Sequence, residues 1–406
     1  MDATKAAGQA ISAERHDYYR RGIELVEKYR GKLEIVSKIV VNDLEDLSVA
    51  YTPGVAAPTL KVKDDPFLAY SYTVKGSLVP VVTDGTAVLG LGNTGPEAAM
   101  VVMEGKAILL KAFGDIDAFP LCMATSDVDE IVRIIKVLEP TFGGIFLEDI
   151  SAPRCFEVEE RLRRELSIPV FHDDQHGTAI ATAAALVNAL KVVGKEIGEV
   201  KIAINGAGAS GYETARLFGA MGFKNMVVCD TKGAIYEGRT ENMNPYKERL
   251  AKATNRQKLK TLREAMVGAD VFIGLSGPGV LNEEEGMIRS MAKDPIVFAM
   301  SNPVPEIFPD KARAWGARVV GTGRSDFLNQ VNNLLAFPGV MRGALDVRAS
   351  NINDAMKIAA VNTIAAYVPE SELDADHVTP CALDKKLSEK VAMAVAQAAR
   401  DSGLAR

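Results

Sequence analysis

Cysteine is scarce in this chain of 406 residues: there are four, Cys122, Cys155, Cys229 and Cys381, scattered with no C-x-x-C pair. That spacing excludes a disulfide framework and a structural zinc site. A long basic block is also missing. With a formal net charge of -6 at pH 7, nucleic acid is excluded as the main partner. The opening residues, MDATKAAGQAISAERHDYYRRG, are polar where a secretory signal needs an apolar core, and no apolar run is read as reaching membrane-spanning length. A cytoplasmic location is the expectation. Internal repeats and low-complexity segments are absent too. What is present is an ordinary globular composition, 48% hydrophobic and 25% charged, in a chain long enough for two domains.

Residues 1–10 read as a loose end. From Ser12 the apolar spacing of Tyr19, Ile23, Leu25 and Val26 predicts an amphipathic helix ending near Gly31. Pro53 and Gly54 then make a turn that holds Tyr51 in a fixed place, where a tyrosine serves either packing or chemistry. The stretch LVPVVTDGTAVLGLG, Leu78 to Gly92, predicts two strands around a Thr83-Asp84-Gly85 turn, as a hairpin or tight connection. Pro96 opens a helix on which Lys106 has apolar neighbours on most sides. Such a lysine either snorkels to water or has its pKa lowered by desolvation until it can act as a base. Strand and helix patterns keep alternating to the end of the chain, which is α/β architecture, with Ala-rich helices over 351–366 and 383–400.

Two constellations carry chemistry. In IFLEDISAPRCFEVEERLRRELSIPVFHDDQHGTA, two apolar strands end in acids: Glu148 and Asp149 close the first, Asp173 and Asp174 the second. In a parallel sheet these ends share an edge, where four carboxylates form either a solvated rim or the oxygen ligands of a hard cation such as Mg²⁺ or Mn²⁺. His172 and His176 mimic the spacing of a zinc protease, but they straddle a strand end and a helix start, so that reading is rejected. The second constellation is KIAINGAGASGYETARLFGAMGFKNMVVCD. A strand precedes Gly206, Gly208 and Gly211, and a helix follows. Asp230 ends the next strand, 19 residues after Gly211. This is a dinucleotide-binding turn, with Ala209 and Ser210 inside the loop and a pyrophosphate on the helix N-terminus. Asp230 favours a free ribose hydroxyl and so NAD, whereas Thr231 and Lys232 are suited to the 2′-phosphate of NADP. Asn302 and Asn332 follow later apolar segments on the same side, either as turn residues or as contacts to a ligand.

Taken together, SVAYTPGVA, VVTDGTAVLGLGNTGPEAAMVVMEGKA, FLEDI, PVFHDDQHGTA, NGAGASG, SNPVPEI and NQVNNLLAFPG resemble the bacterial short-form malic enzymes over essentially the whole chain. The resemblance implies an α/β substrate and metal domain over 1–160, a Rossmann-type doubly wound parallel-sheet domain over 161–380 binding NAD or NADP, and a C-terminal helix over 381–406. It implies oxidative decarboxylation of L-malate to pyruvate and CO₂ with a divalent cation, Mg²⁺ or Mn²⁺. Glu148, Asp149 and Asp174 become its ligands, with Asp173 tuning them. Lys106 becomes the base on the C2 hydroxyl, Tyr51 the acid that protonates the enol, and Asn302 and Asn332 contacts to substrate and nicotinamide. A small-molecule substrate and a homodimer are the implied partners, with residues of one protomer near the other's site. Asp230-Thr231-Lys232-Gly233 is similar to the loop of NADP-using relatives, which turns the coenzyme expectation toward NADP.

Two departures stand out. Thr86 and Ala87 occupy the places where longer relatives carry a substrate-binding arginine, which leaves Lys75 as the candidate replacement. The sequence given ends at Arg406, so regulation through an appended phosphotransacetylase-like domain is not expected. Competing readings are a metal-dependent oxaloacetate decarboxylase without redox activity and a non-catalytic dinucleotide-sensing module.

Overall fold

Two parallel sheets organise the chain, and in each the strand order changes direction at one place. The computed structural model describes residues 17–88, 91–281 and 284–406. In the first sheet, β1 (Leu78–Thr83), β2 (Asp117–Cys122), β3 (Ile145–Leu147) and β4 (Val170–His172) lie in the order β2-β1-β3-β4, every pair parallel. The second sheet is built from β5 (Lys201–Asn205), β6 (Asn225–Asp230), β7 (Gly233–Ala234), β8 (Val271–Gly274), β9 (Ile296–Ala299) and β10 (Val319–Thr322). Its order is β10-β9-β8-β5-β6-β7, parallel except for β7 against β6. Successive connections therefore leave in opposite directions at β1/β3 and at β5/β8. Crevices at the carboxyl ends of such strands are where α/β sheets collect ligands.

The helix Pro96–Gly114 begins with proline, whose missing N–H is not needed there, and ends on Asp115 in the left-handed region with φ 47°. β4 runs directly into the helix Asp173–Val193, placing Asp173 and Asp174 in its first turn, where the helix dipole favours negative charge. By length and composition this 21-residue helix could cross a membrane, which corrects the expectation that no run is long enough. It is mostly buried. Its alanine-rich stretch from Ala179 to Ala185 lets the helices Ala209–Ala220 and Asp354–Tyr367 pack against it. The C-terminal helix Lys385–Asp401 rests on Phe337–Asp346 and Asp354–Tyr367. One apolar core passes through both sheets, including Val81, Phe146, Phe171, Ile204 and Phe298. Each such side chain contributes roughly 1.5–3 kcal/mol on burial.

Two expectations change. No hairpin forms after Leu78: β1 pairs in parallel with β2 and β3, and only an isolated bridge joins Val88 to Gly92, residues 89–90 lying outside the described part. The nearly continuous apolar run LVPVV belongs to a strand covered on both faces, which parallel sheets require. The second concerns the expected break after residue 160, because β4 pairs with β3 and carries the first sheet on to His172. At the N-terminus, residues 17–29 are helical, and the chain turns at Gly31 with φ 108°. The expected helix start at Ser12 and the loose end 1–10 lie outside the described residues. Between residues 17 and 74 no side chain is buried.

Candidate active site at the edge of the first sheet

The acids predicted to share an edge do so. Glu148 and Asp149 follow β3, and Asp173 and Asp174 follow β4. One carboxylate oxygen from each of Glu148, Asp149 and Asp174 falls within 4.8 Å of the others. Asp149, at φ 54°, donates its backbone N–H to Asp174 Oδ2 at 2.8 Å. Lys106 reaches in from the helix Pro96–Gly114, its Nζ 2.5 Å from Asp173 Oδ2, 3.1 Å from Glu148 Oε1 and 5.0 Å from the centre of the Phe337 ring. Asn333 Nδ2 also donates to Asp173 Oδ2, at 2.5 Å. The backbone at Gly177 passes so close that a Cβ there would stand 1.9 Å from Asp173 Oδ1.

Burial pushes Glu148 well above the ordinary carboxylate range and raises Asp173 as well, against the pull of Lys106. The expectation of a lowered Lys106 is corrected: burial acts in that direction, but Asp173 and Glu148 outweigh it and raise the ammonium above its usual value. Glu148 Oε2 and Asp173 Oδ1 are buried without a hydrogen-bond partner. An all-oxygen donor set with buried, unsatisfied carboxylate oxygens fits a hard divalent cation.

The remaining predicted residues fall into different places. Tyr51 caps the helix Leu44–Ala50 beside the Pro53-Gly54 turn and is 66% exposed; its hydroxyl makes no hydrogen bond among the described residues. Lys75 does not replace the missing arginine. Its Nζ is consumed by three backbone carbonyls, those of Glu139, Pro140 and Phe142, at 3.0, 2.9 and 2.7 Å. Asn332 caps the short 3-10 helix Asn333–Leu335, accepting from the Leu334 N–H at 2.8 Å, so it is Asn333 that reaches the acids. Asn302 is exposed on the loop beyond β9. On that loop the buried Glu306 ties the ends of two strands together, accepting from the N–H groups of Ser276 and Ser301. A residue the sequence reading passed over is Arg154. Its Nη2 donates to Asp84 Oδ2 and Thr86 Oγ1, each at 3.0 Å.

The glycine turn lies beyond β5. Gly206 has φ 125°, and a Cβ on Gly211 would meet Gly206 O at 1.9 Å, so the strand-to-helix turn needs both glycines. Ala209 and Ser210 open the helix, and Ser210 Oγ donates to the Asp174 carbonyl at 2.8 Å, tying this turn to the acid cluster. A cavity of about 700 Å³ is lined by Gly206, Gly208, Asp230, Thr231, Lys247 and Ser276. The Asp230 carboxylate is not free. Arg239 Nη2, Lys247 Nζ at 2.7 Å and Asn242 Nδ2 at 3.1 Å donate to it, as does the Lys232 N–H at 2.8 Å. Although burial opposes them, Arg239 and Lys247 hold Asp230 below its usual range. Lys232 itself points away, pairing with Glu241 at 2.9 Å.

One turn along the helix from Asp173, His176 joins a second cluster. It stands between Glu159, 2.5 Å from Nε2, and Glu213, 2.8 Å from Nδ1. Lys357 Nζ at 3.0 Å and Arg216 Nε at 2.6 Å complete the partners of Glu213. Despite burial, facing cations hold Glu159 at about 2 and Glu213 well below the usual range.

Residues 30–163 match the family model of the malic enzyme N-terminal domain, and residues 175–400 match that of the malic enzyme NAD binding domain. A bifunctional malic/malolactic enzyme of Bacillus subtilis is 59% identical over 93% of this chain and 92% of its own length. An NAD-dependent malic enzyme of Geobacillus stearothermophilus is 52% identical over 93% of the chain and 78% of its own. Among solved structures, the NAD-dependent malic enzyme of Thermotoga maritima superposes with a TM-score of 0.89 at 47% identity, covering 92% of this chain and 98% of that one. With both halves matched and the acids, lysine and glycine turn drawn together, the chain belongs to the malic enzyme family.

Proposed function

We propose that this protein oxidatively decarboxylates L-malate to pyruvate and CO₂ while reducing NADP⁺, with Mg²⁺ or Mn²⁺ held by Glu148, Asp149 and Asp174. The observation that carries the reading is the clustering of those three acids, with Lys106 paired to Glu148 at their side and the glycine turn joined to Asp174 through Ser210. The cation, when bound, supplies Lewis-acid polarisation of the substrate oxygen. Lys106 takes the C2 hydroxyl proton as hydride leaves for the nicotinamide. To do so it must first give up its own proton, against the hold of Asp173 and Glu148. Asp173 and Asn333 keep the ammonium aimed at the cluster.

The bond from C3 to the departing carboxylate then breaks, CO₂ leaves, the bond's electron pair gives the enol, and Tyr51 protonates its C3. The exposure of Tyr51 fits delivery by a second copy. No side chain of the segment 17–74 is fully buried within the chain, and Ile35, Leu44 and Tyr51 are 102%, 81% and 66% exposed, while Met100 and Val101 on the helix that bears Lys106, and Leu91 just before it, expose apolar surface. That much apolar surface calls for a partner. A homodimer is therefore part of the proposal. NADP is proposed over NAD because Arg239 and Lys247 already neutralise Asp230, removing the repulsion that a free carboxylate would exert on a 2′-phosphate.

The test is an assay of malate with Mn²⁺ and each coenzyme in turn. Reduction of NADP⁺ at higher kcat/KM than NAD⁺, with pyruvate formed and loss on chelation, is expected. Decarboxylation of oxaloacetate with no coenzyme reduction from malate would replace this reading with that of a simple decarboxylase.

A further inference from the structure

We infer that Arg154 holds the substrate carboxylate that survives the reaction, the one attached to the hydroxyl-bearing carbon. This assignment rests on the malate reading above. A dicarboxylate must enter an edge that already carries Asp84, Glu148, Asp149, Asp173 and Asp174, so it needs fixed positive charge close by. Among the described residues, Lys106 and Arg154 pair with acids here. Lys106 is spent on Asp173 and Glu148. Arg154 is not: Nη2 serves Asp84 and Thr86, but Nε is buried without an acceptor. A guanidinium N–H kept dry and unpaired is costly, and although Nε is covered the side chain as a whole is still 34% exposed, so a carboxylate arriving from solvent can meet the guanidinium charge.

The position is set by the sheet. Val82 pairs with Leu147 in the parallel register of β1 and β3, so Asp84 and Asp149 both follow their strands at the same edge of the sheet. The loops after these strands are stitched together by Ala87 N–H to the Asp149 carbonyl and Ser151 N–H to Thr86 Oγ1, both at 3.0 Å. Asp84, itself buried, then fixes the guanidinium against the loop that supplies Asp149. Arg154 thus offers a preorganised, permanently charged donor at the crevice between β1 and β3.

Chemistry selects which carboxylate. The group that departs must shed its charge to become CO₂, and a cation gripping it would stabilise the starting state more than the transition state. The carboxylate that stays keeps its charge throughout, so a fixed guanidinium can hold it at no such cost. Arg154 is a binding residue in this scheme, and Asp84 is a positioning residue acting through it.

Steady-state kinetics of Arg154→Leu, Arg154→Lys and Asp84→Asn in the full-length enzyme decide the matter. Arg154→Leu is expected to raise the KM for malate, and the KM for pyruvate in the reverse direction, by roughly 100-fold each, with the coenzyme KM unmoved. Arg154→Lys should recover about tenfold of that loss. Asp84→Asn should raise the malate KM by less than about fivefold, because the cation remains. Equal losses in Arg154→Leu and Asp84→Asn would reduce Arg154 to a structural tie. A malate KM that rises without the pyruvate KM, or that does not move, would also overturn the assignment. If Arg154→Leu does not fold, the lysine variant carries the same two-substrate comparison. Wild-type enzyme inactive on malate would sink the malate reading itself, which the unsubstituted control reports separately.

Discussion

Two clusters of buried charge sit one turn apart on the helix Asp173–Val193, and they are built on opposite principles. Around Asp173 and Asp174 carboxylates outnumber the cation, oxygens of Glu148 and Asp173 lack partners, and those two carboxyls are pushed up. Around His176 the acids face Lys357, Arg163 and Arg216, and both are held down. The first cluster is unstable without something from outside; the second is complete in itself. Polar burial alone therefore does not mark a site, but unsatisfied polar burial does.

Substitution should separate the two sharply. The largest effect is expected on turnover: Lys106→Ala should cost about 10²- to 10⁴-fold in kcat for malate oxidation, while Tyr51→Phe should still reduce oxaloacetate yet fail to protonate enolpyruvate. Equal residual turnover of both variants in every half-reaction would erase their distinct roles. Next comes stability. Glu213→Gln should cost on the order of 3–5 kcal/mol in denaturant unfolding, because it takes the facing carboxylate from the buried Lys357, whereas Arg216 keeps Asp354. Glu148→Gln should instead raise Tm, by relieving repulsion among four acids.

Mn²⁺ at a hundred times its Kd should stabilise the wild type by about 2.7 kcal/mol, seen as a Tm shift that Glu148→Gln diminishes. A shift of the same size in both proteins would place the ion elsewhere. The smallest effect is in acid. Glu159 and Glu213 have folded values below their unfolded ones, so their stabilisation is present above about pH 4.5 and is lost as pH falls toward 2. Melting from pH 6 down to 3 should follow that sign, and Glu213→Gln should flatten it.

Much of this was legible in the residues. Apolar runs ending in Glu148-Asp149 and Asp173-Asp174, and the strand-glycine-helix order around Gly206, are local signals, and local periodicity survives folding. What stayed hidden depends on pairing between distant segments. Nothing near Arg154 in sequence announces Asp84, which is 70 positions away. Arg239 and Lys247 reach Asp230 only because the chain doubles back after β7. Lys75 looked available until its carbonyl partners 64–67 residues on were in place. Lys106 was read from its apolar neighbours on one helix, while the acids that reverse its shift come from two other strands. Asn332 and Asn333 were indistinguishable by type, and backbone geometry decided which one caps and which one reaches in.

The bond from Ser210 runs to the main-chain oxygen of residue 174, not to its carboxylate. The clasp on the coenzyme turn is thereby independent of the side chain at this position. An exchange of the side chain at 174 would leave the clasp on the coenzyme turn in place, so a lineage could retune the ion or abandon it while the nucleotide half stayed docked.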